Sequence, residues 1–274
     1  MEVSHALLLA AAGFAGGYIA GLAGIGGGIV FAPVLLFHFR SLDVDPTVVA
    51  PLTIGTSLLC TMVAAAASAR HQLARNSVDL GIAWKVGLTS AISVVAITLF
   101  VTTRPWFNDR VFQVVFATLL CVVAARMFTG NRSAAEPVHD SRHGFARLAA
   151  TGLSAGAVSA TAGVGGGVVL VPAFQQALRL PMKVAAGTSS ASIVIITLFA
   201  TITYALHGLG VDGRTPTSVG YVDVARALLL AVPATLTAQL GVATAHRLHS
   251  NTLRRGFGVF VIVVAIRLAW TAVR

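Results

Sequence analysis

Gly24-Ile25-Gly26-Gly27-Gly28-Ile29-Val30-Phe31-Ala32-Pro33 is the stretch of this chain whose residue types and spacing could do chemistry, and it occurs twice. The second copy is Gly163-Val164-Gly165-Gly166-Gly167-Val168-Val169-Leu170-Val171-Pro172. Three adjacent glycines break a helix and let a ligand touch bare backbone. The half-helix that restarts after such a break has N–H groups without helical partners, and its dipole is positive at that end. Together these attract an anion. Pro33 and Pro172, five residues past the last glycine, each free a carbonyl and favour a kink. Neither copy is a Walker A loop, because no Lys-Ser/Thr follows the glycines, and no strand precedes them as a dinucleotide fingerprint requires.

Hydroxyls form the second set of donors. Thr53, Thr56, Ser57 and Thr61 lie in one apolar run; Thr188, Ser189, Ser190 and Ser192 lie in its counterpart. A Gly-Thr-Ser triplet, 55–57 and 187–189, recurs in both, which singles out Thr56, Ser57, Thr188 and Ser189. Gln175, Gln176 and Gln239 add uncharged donors. Backbone N–H, hydroxyl and amide groups without a fixed carboxylate suit a small oxyanion. The expected substrate site is Gly26, Gly27, Gly28, Thr56, Ser57, Gly165, Gly166, Gly167, Thr188 and Ser189. His71 and His207 end the hydroxyl-bearing runs and read as passive interfacial residues. Cys60 and Cys121 form no CxxC and have no His cluster, so neither a metal nor a disulfide is expected. No catalytic residue and no cofactor is expected either: no His/Asp/Glu/Cys set falls within a run.

The elements that must position these groups are membrane helices. Hydrophobic residues make up 56% of the chain and charged residues only 10%, where a soluble domain carries about 25% charge. Runs fall at 6–23, 29–39, 47–69, 80–102 and 111–128, then at 146–162, 168–178, 184–206, 221–245 and 256–273. Most approach the ~20 residues that cross a bilayer, and the two runs that follow the glycines are half that length. The reading is an all-α polytopic membrane protein with two internal repeats, each a glycine-broken helix pair plus three long transmembrane helices. Residues 1–129 form the first repeat, 130–145 a polar linker, and 146–274 the second repeat. The N-terminus lacks a basic signal-peptide region, so the first run is expected to be retained.

Charge placement favours inverted repeats. If the chain turns back at each glycine motif, 12 of the 19 basic residues collect on one side, as the positive-inside rule requires. If each broken pair made a single crossing, the split would be nearly even and the repeats parallel. The net charge of +10 is spread over loops and run ends, without the interleaved aromatics of a nucleic-acid surface, so no nucleic-acid partner is expected. Lys85, Arg126, Arg226 and Arg267, near run ends, are expected to snorkel to the interface. Gly13, Gly17 and Gly21, spaced four apart, are expected to serve close helix packing.

The paired motifs, the Gly-Thr-Ser after each, and the duplicated layout resemble the sulfite exporter TauE/SafE family of membrane permeases. The resemblance covers the whole chain except the linker, and the spacing from motif to Gly-Thr-Ser differs between the two copies. It implies transport of a small sulfur oxyanion or organosulfonate across the bacterial inner membrane; the residues alone reach only a small anion. The expected mechanism is alternating access around the two glycine breaks. The alternative is a channel-like permease for another small anion such as a carboxylate. The bilayer and the anionic substrate are the expected partners, with a homodimer left open.

Overall fold

The computed structural model of the chain describes residues 3–42, 44–104, 106–129 and 144–248. Residues 130–143 of the linker expected at 130–145, and the run at 256–273, lie outside the described residues. Nine α-helices are described: α1 (Val3–Ala23), α2 (Gly28–Arg40), α3 (Pro46–Leu73), α4 (Leu80–Ile97), α5 (Asp109–Thr129), α6 (Phe145–Ala162), α7 (Gly167–Gln176), α8 (Met182–His207) and α9 (Val224–Arg247). A π turn, Thr98–Thr102, extends α4, and a short antiparallel hairpin of β1 (Ser218–Val219) and β2 (Val222–Asp223) precedes α9. His5–Ala23, Pro46–Leu73, Leu80–Thr102, Met182–His207 and Val224–Arg247 are each long and apolar enough to cross a bilayer. The protein is an all-α polytopic membrane protein.

Three helix starts, those of α3, α4 and α9, are fixed by acidic caps. Asp45 accepts from the Thr47 amide, Asp79 from Ile82 and Asp223 from Arg226, each satisfying an N–H that the first turn leaves open. The expected run at 221–245 begins instead at Val224, because Tyr221, Val222 and Asp223 turn through the hairpin and its cap.

The long helices pack through glycine seams. A Cβ on Gly13, Gly17 or Gly21 of α1 would strike the backbone at Leu230, Ala234 or Ala238 of α9, so these glycines do serve close packing. α6 lies on α4 in the same way, with Gly152 against Thr89 and Gly156 against Ser90. Ser90 Oγ donates to the Gly152 carbonyl across that seam at 2.7 Å. In a bilayer, where apolar side chains gain little from leaving lipid, such close backbone approach is what holds helices together.

Several contacts recur with the two halves of the chain exchanged. The Asp223 N–H, at the start of α9, donates to Thr56 Oγ1 of α3; the Asp79 N–H, at the start of α4, donates to Thr188 Oγ1 of α8. Both bonds are 2.9 Å long. Each half thus holds a helix start belonging to the other. Trp84 and Trp106 are exposed, as interfacial aromatics are. Lys85 is exposed too, but Arg226 is not: its side chain is 12% exposed and its guanidinium pairs with Asp223, which corrects the snorkelling expectation there. A buried carboxylate within reach is a better partner for a guanidinium than the interface.

Candidate functional site

The chain turns back on itself at both glycine motifs. A Cβ on Gly27 would lie 2.7 Å from the Gly16 carbonyl oxygen of α1, and one on Gly166 would lie 2.6 Å from the Ala155 carbonyl oxygen of α6. Further down the first hairpin the rings of His5 and His38 meet with centroids 5.2 Å apart. α1 with α2 and α6 with α7 are therefore antiparallel pairs, which is the turn-back arrangement that the basic residues favoured. Gly27 (φ 78°) and Gly166 (φ 76°) are the N-caps of the returning helices and sit in the left-handed region. A side chain there would meet backbone as well as dihedral strain.

The two turns face each other. A Cβ on Gly28 would lie 2.6 Å from Val164 Cα, and one on Gly167 would lie 2.6 Å from Ile25 Cα. The starts of α2 and α7 therefore converge at one place. After Gly24, which bonds the Ala20 carbonyl, the next amides with an acceptor are Val30 and Phe31, both on the Gly27 carbonyl. In the second motif Gly163 bonds Ser159, and Val169 and Leu170 bond Gly166. Among the described residues, the N–H groups of residues 25–29 and 164–168 have no protein acceptor. Glycines in the left-handed region between ordinary residues form concave arrays of N–H groups, and two positive helix ends add to them. Pro33 and Pro172 lie inside α2 and α7, so the Ile29 and Val168 carbonyls lack the usual helical donor.

Two side chains stand between the motifs. The Thr61 methyl on α3 would be 2.6 Å from a Cβ on Gly26 and 2.7 Å from one on Gly165. Thr61 Oγ1 would be 2.8 Å from a Cβ on Gly28. Ile193 on α8 touches the same positions: its Cγ2 would be 3.2 Å from a Cβ on Gly26 and 2.9 Å from one on Gly165. Thr61 is fully buried and its hydroxyl has no hydrogen-bond partner. Its neighbours behave differently: Ser192 and Thr197 of α8 bond the carbonyls four residues back, as helical hydroxyls usually do. A buried hydroxyl without a partner costs about 1–3 kcal/mol.

The expected hydroxyls divide. Ser57 Oγ donates to the Gly163 carbonyl at 2.8 Å and so ties α3 to the second motif. Ser189 is buried without a partner, and its helix lies against the first motif, where a Cβ on Gly24 would be 2.6 Å from Ala186 Cα. Thr56 and Thr188 accept from the starts of α9 and α4, and each keeps a hydroxyl hydrogen to give. Thr61, absent from the expected set, meets both motifs with its methyl and the start of α2 with its hydroxyl. Its sequence signal was its place four residues after Ser57, on the same helical face. Gln175 and Gln176 end α7, away from the turn where it begins. Cys60 is buried, with Sγ 3.6 Å from the Ala227 carbonyl oxygen. Among the described residues, no group of three His, Cys, Asp or Glu side chains is placed to hold a metal.

Residues 9–268 match the sulfite exporter TauE/SafE family. The chain belongs to that family. It is similar to a probable membrane transporter protein of Haemophilus influenzae, 28% identical over 264 residues that cover 96% of this chain and 97% of the relative. It is also similar to the probable membrane transporter protein YunE of Bacillus subtilis, 23% identical over 286 residues covering 97% and 98% of the two chains. A probable membrane transporter protein of Methanocaldococcus jannaschii is 26% identical over 90% of this chain and 89% of its own. No solved structure is a significant match. Membership in the TauE/SafE family makes this a multi-pass membrane transporter rather than an enzyme.

Proposed function

We propose that this transporter carries a small anion, a sulfur oxyanion or organosulfonate, across the bacterial inner membrane by alternating access. The observation that carries the anion reading is the pair of facing turns with N–H groups 25–29 and 164–168 unpaired, and Thr61 Oγ1 buried without a partner between them. Donors of this kind suit an oxyanion and repel a cation. The sulfur class is supported by the family's description. In this reading Gly26–Gly28 and Gly165–Gly167 supply the backbone donors, Thr61 and Ser189 add free hydroxyls, and Ser57, whose hydrogen goes to the Gly163 carbonyl, steadies the second turn. Thr56 and Thr188 hold the opposite helix starts around it. The contacts that recur with the halves exchanged support two inverted repeats, and rocking of one against the other would expose the shared site to each side in turn.

The test is transport by purified protein in proteoliposomes, with sulfite, thiosulfate, taurine, isethionate, sulfoacetate, sulfate and acetate as substrates. Saturable uptake of one sulfur anion, accelerated by the same anion inside, is the expected result. Flux that neither saturates nor shows counterflow would instead establish a channel. Transport confined to carboxylates would remove the sulfur assignment and leave the anion site.

A further inference from the structure

Asp79 and Asp223 cap two helices in the same way, yet only one of these corners is elaborated. Three residues after Asp79 stands Ile82; three residues after Asp223 stands Arg226. The Asp223 carboxylate is fully buried and accepts from Thr215 Oγ1, Thr217 Oγ1, the Arg226 amide and the Arg226 guanidinium. Arg226 Nε then donates to His38 Nε2 at 2.9 Å, and its guanidinium lies 5.7 Å from the centre of the Phe39 ring. His38, 5% exposed, sits near the far end of α2, ten residues from Gly28, or about 15 Å along the helix. The Asp223 amide, in turn, holds Thr56. One chain of polar contacts therefore joins the half-helix of the first glycine motif to the start of α9 and on to α3.

A guanidinium can only donate, so His38 Nε2 must be the acceptor and the ring is neutral, with its proton on Nδ1. A second proton on His38 would have to take the nitrogen that Arg226 occupies. The bond would be lost and two cations would face each other. Arg226 would keep Asp223, so the contact that breaks is the one between α2 and α9. Among the described residues, the titratable and charged groups facing the His38 ring are His5 from α1 and Arg226 and Asp223 from the start of α9; Arg40 lies on the same helix two residues on.

We propose that His38 and Arg226 form a proton-released latch, through which acid on that face frees the returning half-helix α2 from α9. Proton uptake at His38 thereby favours the conformation in which the first glycine motif can move, and proton loss restores the closed one. The opposite corner, with Ile82 in place of the arginine, has no such contact among the described residues, which gives the cycle its polarity. The proposal rests on the transport reading for its consequence but not for its test.

The test needs no substrate. Spin labels at Ser41→Cys, beyond α2, and Leu228→Cys, on the exposed face of α9, report the distance across the latch in detergent or nanodiscs. Cys121→Ala removes the exposed native thiol, while buried Cys60 stays. Between about pH 8 and about pH 4 the distance distribution should shift or gain a second, longer population, because burial and the facing Arg226 charge delay proton uptake at His38. His38→Gln, whose amide oxygen can accept from Arg226 but not titrate, should abolish the shift and keep the alkaline distribution; His5→Gln should retain the shift. A distribution insensitive to pH in the labelled parent, or an acid shift that survives His38→Gln, would overturn the latch. Because no anion is present, either result is independent of the substrate assignment.

Discussion

Thr61→Val separates a ligand-binding hydroxyl from a packing one, because the two roles give effects of opposite sign. The side chains have nearly the same shape, so the methyl contacts with the two motifs survive. What is removed is a fully buried hydroxyl without a partner. Relief of that unpaired group should stabilise the ligand-free protein by about 1–3 kcal/mol. A hydroxyl bond to a charged ligand is worth about 1.5–3 kcal/mol, so the same substitution should weaken anion affinity roughly ten- to a hundredfold. Thermal unfolding in detergent, with and without a transported anion, reads both quantities on one sample. A variant with a higher melting temperature alone and a smaller shift with anion fits the account. A variant that melts lower without ligand, or one that binds the anion as wild type does, would refute the reasoning, since Thr61 would then have a partner or no ligand.

Gly27→Val or Gly166→Val should abolish uptake with the protein still in the membrane, because each puts a branched side chain at a left-handed dihedral against a backbone carbonyl; membrane yield and proteoliposome flux check both halves of that statement. Ser57→Ala should lower thermal stability by roughly 1 kcal/mol or more, because the Gly163 carbonyl loses its donor. Gly17→Leu should prevent α1 from seating on α9 and reduce membrane-integrated protein, read by fluorescence size exclusion. Asp223 lies in the loop before α9; burial raises its carboxyl, but the Thr215 and Thr217 hydroxyls, the Arg226 amide and the Arg226 charge hold it below the usual range. A depressed carboxyl contributes stability above its unfolded pKa and loses it as pH falls, so the melting temperature should drop below about pH 4, and Asp223→Asn should lack that acid-dependent part.

The glycine motifs made the fold legible because breaks are local: three glycines end one helix and start the next within a few residues of where they stand. α2 begins at Gly28 and α7 at Gly167, and the expected runs before them match α1 and α6. The seam glycines Gly13, Gly17 and Gly21 were legible for the same reason, since their spacing of four already defines a face. What the chain did not announce depends on pairs far apart in sequence. His38 and Arg226 are 188 residues apart, and nothing near either one distinguishes a latch from a helix-end histidine and a snorkelling arginine. Gly-Thr-Ser pointed to α3 and α8, which lie against the two motifs, but Thr61 meets both motifs because α3 crosses between them, and that crossing follows from tertiary packing. Thr56 and Thr188 repeat in sequence with equal clarity, yet their bonds reach to helix starts in the other half. The hairpin before α9 was hidden because Tyr221 and Val222 continue an apolar run.

The central claim is that the facing glycine turns bind an anion, and ligand-dependent thermal stability of the purified protein tests it most directly. Sulfite, thiosulfate, taurine, isethionate, sulfoacetate, sulfate, acetate and phosphate would be titrated against wild type, Gly27→Ala and Gly166→Ala. Binding at about 100 times its Kd should add roughly 2.7 kcal/mol of apparent stability to the wild type. The account predicts such a shift for at least one sulfur anion, and its loss in either glycine variant. A wild-type protein indifferent to every anion, or a shift that persists undiminished in both variants, would contradict it.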